Sequence, residues 1–155
     1  MYANIIPVAT GEKWIGSGVR SSYSVVMGMI EEAGEQLVLT AYVLTNIDVV
    51  NNIILALDRG VRVTIYLYDS GEENIISEAV RQIIEVQKEY SYLKVKIVRT
   101  KVLHAKIIVA DSRKVLVGSA NFTHYGLTSN YELGFLVEDA EIAGKILSLV
   151  GTVGE

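Results

Sequence analysis

The apolar residues of this chain change their period partway along it, and that change restricts the fold more than any other feature. Up to about residue 92, strand-like runs alternate with segments in which apolar residues recur every three or four positions; beyond it, strand-like runs follow one another. Ser21 and Ser22 can cap a first helix that carries Val25, Val26, Met29, Ile30 and Ala33 on one face and stops at Gly34. A strand is expected over residues 36–44, after which Asn46 can cap a second helix with Ile47, Val50, Ile54 and Leu57 before a stop at Gly60. The β-branched and aromatic run over 61–68 suits a buried strand. Asn74 is expected to open a third helix, with Ile76, Ala79, Val80, Ile83 and Ile84 on one side and Glu78, Arg81, Glu85 and Lys88 on the other. Strands are then expected over 93–99, 102–110, 115–119 and 133–138, with a closing helix near 140–150. This order of elements predicts an α/β fold with a mixed, mostly parallel β-sheet and helices on both faces.

At 155 residues the chain is the size of one domain, expected to span 1–155, and a domain of that size hides roughly 70% of its unfolded surface. With 50% hydrophobic residues and one proline, disorder and collagen-like repetition are excluded. The absence of cysteine removes disulfides, thiolate-ligated zinc, iron–sulfur clusters and a thiol nucleophile, and two histidines argue against a multi-histidine metal cage within one subunit. No apolar run approaches the roughly eighteen residues of a membrane span. Residues 1–10 are apolar but lack a basic leader and are soon followed by Glu12 and Lys13, so they do not read as a secretory signal, and a cytoplasmic location is expected. The small residues at 151–155 end the chain abruptly, which leaves open a domain shared with a longer protein.

The formal charge of −4 is unevenly spread. Between Lys94 and Lys114 stand Lys94, Lys96, Arg99, Lys101, Lys106, Arg113 and Lys114 against the single acid Asp111, a local +6 that leaves −10 for the rest. A basic stripe on an acidic body suits a protein that holds a phosphodiester at one place, although a charge run taken alone is as compatible with a solvated strand face.

Within that stripe His104 and Lys106 are two apart in an expected strand, which puts both side chains on one face about 7 Å apart along the backbone. A histidine in a strand is by itself more often structural than catalytic. Here it opens a longer constellation: His104-x-Lys106-x-x-x-x-Asp111, six further residues, Gly118-Ser119-x-Asn121, then Asn130 and Glu132. This set resembles the phospholipase D superfamily, and several residue types at fixed offsets are far more specific than a lone His-x-Lys.

The resemblance implies a phospholipase D-like fold and a phosphodiesterase that needs neither metal nor cofactor. In the family one histidine attacks phosphorus to give a phosphohistidine, while a second, from another copy of the motif, protonates the departing oxygen; water then reverses the roles. On that pattern His104 is nucleophile or general acid, Lys106 neutralises the non-bridging oxygens, and Asn121 with Ser119 donates hydrogen bonds to them. Gly118 permits close backbone approach, and Glu132 matches the acid that orients a catalytic imidazole. Asp111 is expected to fix a turn, and Asn130 to shape the loop before Glu132. Thr123 and His124, just past Asn121, are candidates for substrate contact, with an exposed loop position the plainer reading of His124.

The chain carries one His-x-Lys, so the resemblance implies a homodimer that shares one site, and a bell-shaped pH–rate profile in which one histidine is neutral and the other protonated. Small single-motif members resemble the bacterial endonucleases of the superfamily. A weakly sequence-specific endonuclease acting on DNA, with RNA as an alternative, is therefore expected, with Lys94, Lys96, Arg99 and Lys101 binding flanking phosphates. Tyr42, Tyr66 and Tyr68 fall in strand patterns and are expected in the core, leaving no evident aromatic stacking set. The alternatives are a lipid phosphodiesterase, for which the segment from Phe122 to Leu127 would offer an apolar rim, and a nuclease module that takes its specificity from a partner.

Overall fold

The computed structural model describes residues 4–71 and 76–154. They form one eight-stranded sheet flanked by four α-helices, in the order β1 (Asn4–Thr10), β2 (Arg20–Ser21), α1 (Ser22–Glu32), β3 (Gln36–Ala41), α2 (Ile47–Asp58), β4 (Arg62–Tyr68), α3 (Glu78–Val86), β5 (Leu93–Val98), β6 (Lys106–Ala110), β7 (Lys114–Gly118), β8 (Glu132–Glu138) and α4 (Ala140–Val150). The sheet order is β2-β1-β8-β7-β6-β3-β4-β5.

The helices begin where side-chain oxygens can take up their free N–H groups. Ser21 Oγ accepts from Ser24 at α1, and Asn46 Oδ1 accepts from Asp48 and Val49 at α2. The third helix opens at Ser77, whose Oγ accepts from Val80, rather than at Asn74, which lies outside the described residues. Ile76 precedes that helix and is exposed.

The mixed α/β class is as expected, but the balance is not mostly parallel. The pairs β3-β4, β4-β5 and β1-β2 are parallel, whereas β1-β8, β8-β7, β7-β6 and β6-β3 are antiparallel. Helical crossovers return the chain in the same direction between β3, β4 and β5, while the tight turn between β6 and β7 reverses it. Residues 4–10, to which the sequence reading assigns no element, form β1; Pro7 is tolerated there because the short β2 pairs only Val8 and Ala9 and leaves the Pro7 side nearly an edge.

Helices lie on both faces. On one, Val25, Ile30, Val50, Ile53 and Ile83 of α1, α2 and α3 pack on Leu37, Leu39, Ile65 and Ile108; on the other, Ala143 and Val150 of α4 pack with Val38, Tyr66, Val109 and Val115. Beyond α4 no other described helix covers that second face, and Ile5, Val117, Leu133 and Phe135 are exposed on β1, β7 and β8. The register sets Pro7, Phe135 and Val117 side by side across it.

The alternation of direction brings functional positions to one edge of the sheet. The parallel strands β3, β4 and β5 end there; β6 starts there; β7 ends there; β8 starts there. Gly118 and Gly134 are paired across β7 and β8, and a Cβ on Gly118 would stand 2.8 Å from Gly134 Cα, while one on Gly134 would stand 2.6 Å from Val117 O. The close approach expected of Gly118 is therefore to the neighbouring strand. Asp111 behaves as a turn residue: at φ 53° its carboxylate accepts N–H donations from Gly34, Glu35 and Gln36, tying the β6-β7 turn to the start of β3.

Two outcomes follow. Burial alone would raise the pKa of Asp111, but the backbone donations from Gln36, Gly34 and Glu35, with the nearby Lys114 ammonium, outweigh it and hold the carboxyl below its ordinary value. Its contribution to stability is present above the unfolded carboxylate pKa of about 3.9 and is lost as pH falls through the lower folded value, so Asp111→Ala should cost about 1–3 kcal/mol in urea unfolding at neutral pH and progressively less in acid. Gly118→Ala should separate β7 from β8 at a cost of about 1–3 kcal/mol, read as a lower urea midpoint with an unchanged slope.

Candidate active site

Lys106 opens β6 at the sheet edge and is only 8% exposed, yet among the described residues it forms no salt bridge to any carboxylate. Its ammonium lies 3.0 Å from His104 Nδ1 and 3.1 Å from Nε2, and 5.4 Å from the centroid of the Tyr42 ring. An ammonium only donates, so it can hydrogen-bond this ring only through a nitrogen that carries no proton. Burial pushes the Lys106 pKa down from its ordinary value, and the negative field of Glu132 pulls against that shift.

His104 is not in a strand: β6 begins at Lys106, and residues 102–105 run as irregular chain. The pairing of side chains expected from strand alternation is reached by another route. Thr40, buried on β3, donates its hydroxyl to Ala105 O at 2.7 Å and accepts from Ile107 N at 3.1 Å, straddling Lys106 and holding the chain where it leaves the ladder. Leu103, buried with Val38 and Tyr66, anchors the residue before His104, which itself stays exposed. The Tyr42 ring packs on the imidazole with centroids 4.7 Å apart. Thr40 and Tyr42 escaped the sequence reading because nothing in a strand run distinguishes a Thr or Tyr that will face another segment's polar groups.

Ser119 and Glu132 adjoin across the ends of β7 and β8. Ser119 Oγ donates to Glu132 Oε2 at 2.5 Å and accepts from Leu133 N at 3.1 Å, and Asn130 Nδ2 approaches Glu132 Oε1 at 3.4 Å. The Ser119 hydroxyl is thus engaged with Glu132 and not free to donate to a phosphoryl oxygen. Within this chain the Glu132 carboxylate holds Ser119 and Asn130, and it is Lys106 that contacts the His104 ring. The Asn130 backbone N–H closes the preceding turn on Tyr125 O at 2.7 Å.

Asn121 lies in a segment clamped to the end of β3: Phe122 N donates to Val43 O, and Phe122 O accepts from Thr45 and Asn46. Among the described residues its Oδ1 is buried with no hydrogen-bond partner. Gly126 packs so tightly under this segment that a Cβ would stand 2.4 Å from Asn121 O. Thr123 precedes the turn of π-helix, Tyr125–Ser129, and its Oγ1 accepts from Gly126 N at 2.9 Å. His124 is exposed and borders Tyr125 and Thr128, the plain loop position rather than a partner of His104. Buried Thr10, unremarked in the sequence, ties the end of β1 to this turn through Gly126 O at 2.7 Å.

The basic stripe does not form one patch. Arg99 pairs with Asp69 at 2.8 Å, Arg113 with Glu138 at 3.2 Å and Lys114 with Glu32 at 3.5 Å. Lys94 and Lys96 are exposed on edge strand β5, three strand positions or about 14 Å from β6, with the Lys96 ammonium over Tyr66; Lys101 is exposed in the turn leading to His104. Tyr66 is core as expected, but Tyr42 and Tyr68 are half-exposed and stacked on one another, centroids 5.4 Å apart and planes inclined by 14°. The segment expected to give an apolar rim is divided, with Phe122 3% and Leu127 2% exposed but Tyr125 67% exposed.

Among the described residues no three His, Asp or Glu side chains lie close enough together to hold a metal ion, and no helix is long and apolar enough to cross a membrane.

Comparison with known proteins accords with this geometry. The fold is similar to that of Nuc from Salmonella typhimurium, a phospholipase D family member, with a TM-score of 0.77 and 22% identity over 95% of this chain and 91% of that one. It is equally similar to NucT from Helicobacter pylori, with a TM-score of 0.76 and 22% identity over 99% of this chain and 100% of that one. The chain is 28% identical over 122 residues to a phospholipase D of Rickettsia conorii, a match that takes in 79% of this chain but 58% of the relative's length. Residues 26–150 match the model of the cardiolipin synthase, PLD-like domain, and the chain therefore belongs to the phospholipase D superfamily of phosphodiesterases.

Proposed function

We propose that this chain is a metal-independent phosphodiesterase acting on nucleic acid, a weakly sequence-specific endonuclease whose working form is a homodimer. The observation that carries the reading is the buried Lys106 ammonium, which lacks a carboxylate partner among the described residues and sits against the edge of an exposed imidazole. A buried cation of this kind favours an anion within reach of His104, and a phosphodiester supplies one.

In this mechanism a ring nitrogen of one His104 donates its lone pair to phosphorus. The P–N bond forms as the P–O bond to the leaving nucleoside breaks, and the second copy's imidazolium gives that alkoxide its proton. Water then attacks the phosphohistidine, losing a proton to the second imidazole, and the P–N bond breaks. Lys106 offsets the charge on the non-bridging oxygens, and Asn121 donates to them. Ser119 acts through its bond to Glu132, and Glu132 is the carboxylate available to orient an imidazole. Lys101, exposed in the turn that leads into His104, adds positive charge on the approach to the site, with Lys94 and Lys96 farther away on the edge strand and Arg99 paired with Asp69.

A second copy is required because one chain holds one His-x-Lys. The exposed apolar residues Ile5, Val117, Leu133 and Phe135 offer a surface that could be buried against such a copy. A lipid phosphodiester is the second reading. It is favoured by the exposed Trp14–Tyr131 ring pair, with centroids 4.7 Å apart, immediately beside Glu132.

Supercoiled plasmid should be nicked in excess EDTA by the wild type and not by His104→Ala. Absence of nicking, with turnover of phosphatidylglycerol liposomes, would overturn the nuclease in favour of the lipid enzyme. Light scattering at micromolar concentration should give the mass of two chains; a monomer that retains activity would sink the shared site.

A further inference from the structure

Beyond the reacting groups lies a groove of about 830 Å³ along the carboxyl ends of β3, β4 and β5, which the mechanism above does not use. Its walls include Tyr42, Tyr68, Leu67, Ile84, Asp69 and Arg99. Tyr42 is shared with the site, since its ring touches His104 and lies under Lys106, and Tyr68 continues from it as the stacked pair already described. His104, Tyr42 and Tyr68 thus form a row of rings leading from the reacting imidazole into the groove. At the far wall Arg99 Nε and Nη2 both bond Asp69 Oδ2, at 3.0 and 2.8 Å, leaving a fixed set of donors and acceptors at the rim.

We propose that this groove is a nucleobase subsite, in which a base next to the cleaved phosphate stacks on the Tyr42–Tyr68 platform and turns its polar edge toward Asp69 and Arg99. The inference rests on the nucleic-acid reading and adds a substrate class to it, namely an unpaired strand. A heterocycle presents apolar faces and a polar rim, matching walls that combine tyrosine rings and aliphatic side chains with an ion pair. An acyl chain would gain nothing from Asp69 and Arg99. Stacking on protein rings requires a base that is not stacked in a duplex, and every base has a π-face, so the subsite selects single strands while remaining indifferent to sequence. Crevices at the carboxyl ends of parallel strands are a usual place for ligands in such sheets.

The test is fluorescence anisotropy in EDTA with His104→Ala, which binds without cutting. The probes are a labelled oligothymidylate and an abasic oligonucleotide of the same length and charge. Oligothymidylate should bind roughly 5- to 150-fold more tightly, the range that one stacked base supplies. Adding Tyr68→Ala should bring it down to the affinity of the abasic strand, which should not itself change, and Tyr68→Trp should retain the difference. Equal affinity of the two strands for His104→Ala would overturn the subsite while leaving the nucleic-acid reading intact. A preference that persists in Tyr68→Ala, with Tyr68→Trp equally unaffected, would also overturn it. Binding of neither strand, with binding of phosphatidylglycerol vesicles, would overturn both.

Discussion

The arrangement of the site depends on a single buried ammonium. Taking a lysine charge out of water is costly unless partners replace its hydration, and Lys106 finds three partial substitutes: the edge of the His104 ring, the face of Tyr42 and the field of Glu132. None of them neutralises it outright. The surrounding structure can be read as what keeps that state in place. Thr40 pins the chain on either side of Lys106, Leu103 anchors the approach to His104, and the Gly118–Gly134 contact brings Ser119 and Glu132 close on the other flank.

The sheet explains why these groups meet although they are spread over more than ninety residues. Three parallel strands must end on the same side, and an antiparallel neighbour of the last of them must begin there. β6 is that neighbour of β3, so Lys106 starts where Ala41 ends, and the successive reversals into β7 and β8 return Gly118 and Glu132 to the same edge. The parallel half contributes a groove and the antiparallel half contributes the reacting groups, with Tyr42 at their junction.

Local patterning identified most helices and strands because it reflects one-sided burial, as at α1, where Val25, Val26, Met29 and Ile30 are all nearly inaccessible. It failed where a partner elsewhere in the chain decides. Residues 102–105 have strand composition but leave the ladder, because Thr40 uses its hydroxyl to satisfy Ala105 O and Ile107 N. Tyr42 and Tyr68 look like core residues in a strand run, yet they lie at strand ends where the sheet gives way to a groove. The positive run from Lys94 to Lys114 reads as one stripe, but β3 and β4 stand between β5 and β6, and Arg99, Arg113 and Lys114 each meet an acid from a distant segment.

The sequence by itself determined the α/β class, the caps of the first two helices and the family constellation of His104, Lys106, Asp111, Ser119, Asn121 and Glu132, because propensity, capping and motif spacing are local in the chain. It also placed Asp111 at a turn, while the partners of its carboxylate, the N–H groups of Gly34, Glu35 and Gln36, come from a distant segment. Only the tertiary structure decided that Glu132 holds Ser119, that Gly118 meets Gly134 rather than a ligand, and that two tyrosines line a groove beside the histidine. Those outcomes depend on contacts between strands far apart in sequence, and such contacts are set by the order and direction of strands in the sheet, which the residue pattern of a single strand does not encode.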